Sequence, residues 1–185
     1  MKNKFKNATG FTLVELMVTL VVAAILLTVA APSFIDMIRA NRLATQTNLF
    51  TTALNLARSE AIKRNKRVVV CKASGSACDT SVNWENGFVV FEDLNSDGDI
   101  DAGEETIRVF EGLANGFTLR VGGNLTNWVG YIPSGRSVAS VAFANDTFRL
   151  CASDAATTAD TNRSRSIVLN VTGRISLSEG TGSCP

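Results

Sequence analysis

The stretch NATGFTLVELMVTLVVAAILLTVAAPSF, residues 7–34, decides the fold of the amino-terminal part of this chain. From Phe11 to Ala31 it contains 21 residues and only one charged side chain, Glu15. A helix of that length spans roughly 31 Å, which matches the hydrocarbon core of a bilayer. The sequence therefore predicts a membrane-spanning helix. It also raises a question, because an ionised carboxylate near a membrane centre costs at least ~2.5 kcal/mol and the segment supplies no cation for it.

Three lysines, Lys2, Lys4 and Lys6, precede the apolar segment, and none lies within it. Because positive charge usually stays on the cytoplasmic side of a membrane, we expect a cytoplasmic amino terminus, with everything after residue 32 outside. A cleaved secretory signal peptide is the alternative interpretation, since the segment TVAAPSF could serve as its cleavage site.

The helical pattern continues past that possible cleavage site. Apolar residues recur near 3.5-residue spacing at Ile35, Ile38, Leu43, Phe50, Leu54, Ala57 and Ala61. This spacing favours one helix of more than about 50 residues, kinked at Pro32. Its first half is apolar all round and its second half is amphipathic. The first half can be satisfied only by lipid or by copies of similar helices.

The composition argues against several classes of function. The 185 residues include no histidine, which excludes imidazole bases, Ser-His-Asp and Cys-His pairs and His-ligated metals. Ser134 has no suitable base in the sequence and is better interpreted as part of a turn, so we expect no enzyme. A formal net charge of +1 lacks the basic surplus typical of nucleic-acid-binding proteins.

The four cysteines fit neither a CxxC redox motif nor a four-thiolate zinc site. An even number of cysteines beyond a membrane segment indicates disulfides in an oxidising compartment. Three pairings are possible, and we favour Cys71 with Cys78 and Cys151 with Cys184. The first pair would close a tight loop, and the second would hold a Gly/Ser-rich tail to the folded domain.

The region after the helix is predicted to be rich in strands. Short β-branched or aromatic runs bounded by Gly, Asn, Asp or Ser occur at 67–72, 87–92, 106–110, 117–121, 138–143, 147–151 and 166–171. We expect an antiparallel sheet or small sandwich with one face against the apolar stripe of the helix. The predicted fold class is therefore α+β, a long amino-terminal helix packed on a β-rich head.

The segment KNATG followed by FTLVELMVTLVVAAILLTVAAPSF resembles the leader and first half-helix of a type IV prepilin. The resemblance implies cleavage after Gly10 by an inner-membrane prepilin peptidase and N-methylation of the new amino terminus, Phe11. It also implies that Glu15 pairs with the amino terminus of a neighbouring subunit, which would answer the question of the missing cation. A glycine, an aromatic residue, T-L-x-E and an apolar run in this order are a specific signal.

Three further segments resemble the GspH/FimT group of minor pilins and pseudopilins: NLARSEAIKRNKRVVVC at 55–71, WENGFVVFEDLNSDGD at 84–99, and PSGR at 133–136. This resemblance implies a periplasmic head and assembly with other major and minor pilins or pseudopilins, in a type IV pilus or a type II secretion pseudopilus. The sequence leaves that choice open.

The expected domain organisation follows from the helix and the resemblance. It comprises a cleaved cytoplasmic leader, a transmembrane assembly half-helix, an amphipathic half-helix and a periplasmic head, at 1–10, 11–31, 32–66 and 67–185. We expect a single-pass protein of the bacterial inner membrane that later enters a fibre.

The loop DLNSDGDIDAGE, residues 93–104, matches the calcium-loop template D-x-N-x-D-G-x5-E. Its candidate calcium ligands are Asp93, Asn95, Asp97, Asp99, Asp101 and Glu104. However, the loop lies between predicted strands and not between the two helices of an EF-hand. The alternative is a solvated hairpin turn, rich in Asp, Asn and Gly because those residues form turns. No other cofactor is expected.

A second candidate function comes from FimT-like members of the group, which can bind DNA during natural transformation through a carboxyl-terminal basic patch with a Gly-Arg-x-Arg strand. The matching stretch TGRISL keeps Arg174 but has Ser176 in place of the second arginine. Arg163 and Arg165 could replace the lost charge, because phosphate contacts tolerate changes of position. The alternative interpretation is that these are solvated arginines on a loop and a strand edge.

Overall fold

The computed structural model describes residues 10–153, 163–180 and 184. The chain divides into two compact units, Met1–Arg39 and Ala40–Pro185. One helix, α1, runs over Leu13–Arg64 and includes Pro32. This long helix, combined with the antiparallel strands described below, confirms the predicted fold class.

The carboxyl-terminal end of α1 is set by local chemistry. Lys63 and Arg64 lie in its last turn, where cations interact favourably with the helix dipole. Asn65 then adopts a positive φ of 55°, and the N–H of Lys66 donates to the carbonyl of Ala61 at 3.3 Å. This is the Schellman arrangement, in which a left-handed residue lets the chain leave the helix while the last carbonyls stay hydrogen-bonded.

In the first unit, every side chain described from residue 10 to residue 39 is exposed. The most apolar 18-residue window of α1 has a mean hydropathy of 2.6. By length and composition, the helix can therefore cross a membrane. Ile35 and Ile38, which the spacing assigned to an apolar stripe, are 49% and 53% exposed, so the stripe is not buried in this part of the helix.

In the second unit, α1 buries the predicted stripe from Leu43 onwards. Phe50, Leu54, Ala57 and Ala61 are fully buried. Their spacing of three and four residues puts them on one face of the helix. That face packs in a single hydrophobic cluster with residues of both β-sheets.

The strands form two antiparallel sheets. The first sheet has the order β4-β3-β1-β6-β7, with β2 also paired to β1, and the second has the order β10-β9-β8-β5. The strands of the first sheet are β1 Val68–Ser74, β2 Ala77–Cys78, β3 Gly87–Glu92, β4 Thr106–Glu111, β6 Trp128–Tyr131 and β7 Ser137–Val138. Those of the second are β5 Phe117–Val121, β8 Asn145–Ala152, β9 Ser164–Asn170 and β10 Ile175–Glu179.

The centre of the core is an aromatic cluster around Phe50 of α1. Its ring lies 4.7 Å from that of Phe148, 5.3 Å from that of Phe88 and 5.6 Å from that of Trp84, each in an edge-to-face arrangement. Such aromatic pairs add stability beyond the area that they bury. The aromatic cluster therefore joins the helix to both sheets.

Strand β1 is covered on both faces, which explains its unbroken apolar sequence VVVC. Val68 and Val70 face the main core, whereas Val69 and Cys71 belong to a second cluster. Trp128 and Ile100 pack against this second cluster. A strand buried on both sides loses the usual alternation of apolar and polar residues.

The structure departs from the predicted strands in two ways, since one expected strand is mostly absent and three strands were missed. Residues 138–143 were expected to form a strand, but only Ser137–Val138 pairs, with β6 at the edge of the first sheet. The segment that follows leads to β8 in the second sheet, so it connects two sheets and cannot extend a ladder in either. Strands β2 and β6 were missed because they have only two and four residues. Strand β10 was missed although its sequence, ISLSE, alternates apolar and polar residues.

Candidate functional site

The start of α1 is organised around Glu15. Thr12 donates to Glu15 Oε2 from its backbone N–H and from its hydroxyl, both at 3.0 Å. The backbone N–H of Glu15 in turn donates to Thr12 Oγ1 at 3.2 Å. This reciprocal pattern is a capping box, in which two residues three positions apart satisfy each other's backbone donors.

The capping box gives Glu15 a local partner that sequence reasoning missed. The signal was present, because T-x-x-E immediately before an apolar run is the pattern of a capping box. A carboxylate at this position also interacts favourably with the positive end of the helix dipole. Gly10 and the 79% exposed Phe11 precede the first helical residue, so the expected scissile bond lies in non-helical chain.

The apolar side chains that follow, as far as the structure describes them in the first unit, are all exposed. Exposed fractions of the large side chains between Phe11 and Ile38 range from 49% for Val22 to 79% for Phe11. Contiguous apolar surface of this size indicates an interaction surface or a membrane segment. Lipid or other apolar helices must therefore bury it.

Two disulfides hold the head. Cys71 of β1 bonds to Cys78 of β2, with their Cα atoms 5.6 Å apart. Cys151 of β8 bonds to Cys184, with their Cα atoms 5.9 Å apart. The structure thus contains both of the pairs that we favoured from the sequence. The second bond attaches the end of the chain to the second sheet.

Asp93 opens the acidic loop, and it is not available as a metal ligand in this arrangement. Its side chain is fully buried, and Oδ2 lies 3.0 Å from Nε of Arg67. Oδ1 accepts the backbone N–H of Ser96 at 2.6 Å. Burial raises the pKa of the Asp93 carboxyl above its ordinary value, although the charge of Arg67 opposes that rise.

The other acidic side chains of the loop mostly accept hydrogen bonds from the loop itself. Asp97 Oδ1 accepts the N–H of Asp99 at 2.9 Å, which lowers the pKa of Asp97. Glu104 accepts the N–H of Leu94 at 2.7 Å and that of Asp101 at 3.0 Å. The side-chain amide of Asn95 donates to the carboxylates of Asp97 and Asp101. These bonds are typical of an Asx-rich turn.

The loop packs on the outer face of the first sheet. Gly98 has a φ of 85°, and a Cβ at this position would collide with the indole of Trp128. The guanidinium of Arg67 lies 4.7 Å from the centre of the same indole. In the described ranges, no group of three or more His, Cys, Asp or Glu residues is arranged to hold a metal ion. The described arrangement therefore gives no support to a calcium site, and calcium binding stays a prediction.

The three arginines of the DNA hypothesis lie at two ends of one hairpin. Arg165 faces Glu179 across β9 and β10, with Nη2 3.4 Å from Oε1. Arg163 lies just before β9, whereas Arg174 is exposed in the turn between β9 and β10. A strand of this length spans roughly 20 Å. The fold separates Arg174 from the other two.

Arg58 is a structural residue that sequence reasoning missed. From α1 it donates to the carbonyl of Gly135 at 3.0 Å and to that of Thr172 at 3.3 Å. The turns that contain Gly135 and Gly173 meet so closely that a Cβ on Gly173 would collide with the Gly135 carbonyl. Both glycines also have positive φ. Arg58 thus joins the PSGR and TGR turns to the helix.

Comparison with protein families gives two matches. The family described as Type II transport protein GspH matches residues 46–173, and the prokaryotic N-terminal methylation motif matches residues 5–31. The chain belongs to the GspH family. Its methylation motif and apolar helix fit anchoring in the inner membrane. Comparison with curated proteins gives no match.

Solved structures support the same fold for this GspH-family chain. The crystal structure of the Pseudomonas aeruginosa PAO1 type IV minor pilin FimU in space group P21 matches with a TM-score of 0.60 and 22% identity. The match covers 78% of this chain and 96% of that one. The P65 form matches with a TM-score of 0.56 and 21% identity, covering 77% and 98%. The prediction of a GspH/FimT-type, type IV pilin-like protein is confirmed, and these relatives are structural subunits and not enzymes.

Proposed function

We propose that this GspH-family chain is a minor pilin or pseudopilin, a structural subunit assembled into a type IV pilus or a type II secretion pseudopilus. One observation carries the proposal: an apolar half-helix whose described side chains are all exposed begins with the G-F-T-x-x-E signature and belongs to the same chain as a well-packed head. A helix of this kind suits two environments, lipid before assembly and neighbouring helices afterwards.

Processing would convert the precursor into an assembly-competent subunit. A prepilin peptidase would cut between Gly10 and Phe11, and the new amine would be methylated. Phe11 then carries the positive charge that the apolar segment lacks. In the fibre, Glu15 of one subunit would pair with the Phe11 amine of a neighbour and set the axial register. Before assembly, the two hydrogen bonds from Thr12 satisfy one oxygen, Oε2, of the Glu15 carboxylate.

The four segments have distinct roles in this proposal. Residues 1–10 are the leader, 11–31 the membrane and assembly segment, 32–66 the amphipathic continuation and 67–185 the periplasmic head. The amino terminus faces the cytoplasm. Pro32, at the junction of the two half-helices, is the position where we expect a kink. The binding partners of the whole chain in this proposal are other major and minor pilins or pseudopilins.

DNA binding has weaker support than assembly. The fold separates Arg174 from Arg163 and Arg165, and Arg165 forms an ion pair with Glu179. Phosphate contacts along a duplex need several cations on one face. A salt-dependent gel shift with the full-length protein and short duplex DNA, comparing Arg174→Ala with the unchanged chain, tests this alternative.

Replacement of Glu15 tests the assembly function. In cells that produce the cognate fibre, we expect Glu15→Gln to be cleaved like the unchanged chain but to enter sheared fibres at least about tenfold less, because a charge pair is lost. The mass of the mature amino terminus measures cleavage, and quantitative immunoblotting measures incorporation. Asp36→Asn is the matched control, since Asp36 is an exposed acid of the same helix.

Two results would contradict the proposal. Absence of the unchanged chain from the fibres would refute the function. Normal incorporation of Glu15→Gln would refute the role of Glu15 alone.

A further inference from the structure

Outer strands of a sheet are sites where another chain can pair, and proteins usually protect them. Among the described residues, five strands have a neighbouring strand on one side only, β2, β4, β5, β7 and β10. Strand β2 has only two residues. Strand β7 has only two residues. The ladder of β4 with β3 shifts register between Val90 and Phe91. On β5, the N–H of Leu119 donates to Glu85 Oε2 at 3.3 Å, and Arg120 forms an ion pair with the same carboxylate.

Strand β10 carries none of these protections. Its sequence, ISLSE, has no proline and no lysine, and all five residues pair with β9 without a shift of register. Four of the five residues are exposed. An outer strand that is regular and exposed, and whose single charged residue lies at its end and is paired with the neighbouring strand, can accept a further strand.

The direction of the backbone groups of β10 follows from its hairpin. The N–H of Asn170 donates to the carbonyl of Arg174, and the N–H of Gly180 donates to that of Ser164, each at 3.0 Å. Because hydrogen-bonded pairs alternate along an antiparallel ladder, every second residue of β10 points its N–H and C=O away from β9. The outward-pointing residues are Ile175, Leu177 and Glu179. Among the described residues, none forms a hydrogen bond to these outward groups.

The side chain of Leu177 adds an apolar contact to this edge. Leu177 is opposite Ile167, which is fully buried in the core, so both side chains lie on the inner face of the sheet. Leu177 is nevertheless 53% exposed, because no strand in the described part of the chain lies beyond it. It borders a groove of about 300 Å³ between α1 and β10. The α1 residues that line this groove are Ala44, Thr47 and Asn48.

We propose that the open edge of β10 accepts one extended strand from the head of another pilin-type subunit, with an apolar side chain of that strand inserted in the groove beside Leu177. The outward N–H and C=O groups occur at every second residue, which is the repeat of a β-strand and of no other regular element. The carboxylate of Glu179, at the end of this edge, forms an ion pair with Arg165 of β9 at 3.4 Å, so its charge is already compensated within the hairpin.

The choice of partner rests on the proposed function. Subunits whose apolar half-helices pack together bring their heads into proximity, so a weak edge contact forms at high effective concentration. The proposal therefore requires no high affinity between isolated heads.

A proline at position 177 tests the edge directly. Leu177→Pro removes an outward N–H and its ring blocks a further strand, but it breaks no hydrogen bond to β9. In fibre-producing cells, we expect the fraction of this variant in sheared fibres to fall about tenfold, with the unfolding temperature of the full-length chain in detergent close to that of the unchanged chain. Leu177→Val, which keeps the N–H and an apolar side chain, should incorporate normally.

Two lysine variants test the same edge if the proline variant does not fold. Leu177→Lys should reduce incorporation similarly. Val109→Lys, a matched change at a 43% exposed residue of β4, should not. Normal incorporation of Leu177→Lys would overturn the inference, as would normal incorporation of a folded Leu177→Pro. Absence of the unchanged chain from fibres would instead contradict the proposed function.

Photo-crosslinking identifies the occupant. A photoreactive phenylalanine analogue at position 177 should crosslink, in assembled fibres, to a strand in the head of another pilin-type subunit, as mapped by mass spectrometry. Crosslinks only within the same chain, to position 177 of a second copy, or to a protein without a pilin-type anchor would overturn the inference.

Discussion

Helix α1 has two parts with contrasting surroundings. In the first unit, large apolar side chains such as Leu20 and Leu26 are more than 60% exposed. In the second, Phe50 and Leu54 are fully buried by the sheets of the head. Both parts are rich in apolar residues, so hydrophobicity alone does not determine burial. The difference teaches that the head provides the apolar surface that covers the second part of α1. The first part needs an apolar surface from lipid or from other helices.

In both parts of α1, threonine hydroxyls donate hydrogen bonds to backbone carbonyls of the helix itself. In the buried part, the hydroxyls of Thr47 and Thr51 donate to the carbonyls four residues earlier, at 2.8 and 2.9 Å. In the exposed part, the hydroxyls of Thr19 and Thr28 donate to the carbonyls three residues earlier, at 2.9 and 2.7 Å. A satisfied hydroxyl costs little to remove from water. The exposed part is therefore already suited to lipid or helix packing.

The largest contrast should come from truncating one large apolar side chain in each part. Phe50→Ala should lower the free energy of unfolding of the head by about 3–5 kcal/mol, because a cavity replaces the central ring of the aromatic cluster. Leu20→Ala should leave that free energy almost unchanged. Denaturant titration of the full-length chain in detergent, followed by tryptophan fluorescence, measures both. An equal loss in the two variants would contradict the division of α1 into two environments.

The disulfides should stabilise only the part of the molecule that contains the head. Replacing Cys151 and Cys184 by alanine, which opens a loop of sequence separation 33, should cost about 3–4 kcal/mol in the chain-entropy estimate. Replacing Cys71 and Cys78, at separation 7, should cost about 2.5 kcal/mol by the same estimate. The same denaturant titration provides the comparison. Membrane insertion should be equal in both variants, as measured by carbonate extraction, and a loss of insertion would show that the two parts are coupled.

A smaller, pH-dependent effect should arise where the buried part of α1 ends. Hydrogen bonds from Arg64 lower the pKa values of Glu60 and Glu105 below the ordinary 4.5 of a glutamate side chain. A carboxylate whose pKa is lower in the folded state than in the unfolded state stabilises the fold at any pH above its unfolded-state pKa. This stabilisation is lost as the pH falls through its folded-state pKa. We therefore expect the unfolding temperature to drop below about pH 4.5, and less steeply in Arg64→Met.

Arg64→Met is an internal control for the rest of the titration. The raised pKa of Asp93 acts in the opposite direction, but Asp93 is present in both proteins and cancels in the comparison. Parallel acid profiles for the two proteins would contradict the role of Arg64.

The smallest effect is expected from calcium. A calcium ion in the acidic loop would need the Asp93 carboxylate, which pairs with Arg67 and accepts the N–H of Ser96. We expect millimolar calcium to leave the unfolding temperature of the full-length chain within the scatter of a magnesium control. A rise specific to calcium, lost in Asp97→Asn, would show that the loop rearranges to bind the ion.

Much of the fold could be predicted from short-range pattern. The long helix, its change from uniformly apolar to amphipathic and most of the strands follow from periodicities that act over a few residues. Strand β10 was missed although ISLSE alternates the apolar Ile175 and Leu177 with serines, which is a strand pattern readable from the sequence. The expected strand at 138–143 was wrong because a suitable pattern lies where the chain crosses between sheets.

The candidate sites divide in the same way. The G-F-T-x-x-E signature could be recognised from sequence alone, and so could its capping box, because the residues that interact are three positions apart. For the acidic loop, the sequence predicted a calcium loop or a solvated turn, and the hydrogen bonds within the loop are those of a turn. Its contacts with Arg67 and Trp128 could not be predicted, because both residues lie far from it in sequence.

Short-range sequence patterns were thus enough to predict a long apolar helix with one carboxylate, a β-rich head and the family resemblance. Only the tertiary structure could reveal which acids are neutralised, which glycines allow two turns to meet, and which sheet edge is left open. Helix and strand periodicities depend on neighbouring residues in the chain. Ion pairs, close backbone contacts and sheet edges depend instead on groups that folding brings together from distant positions, such as Arg58 with Thr172.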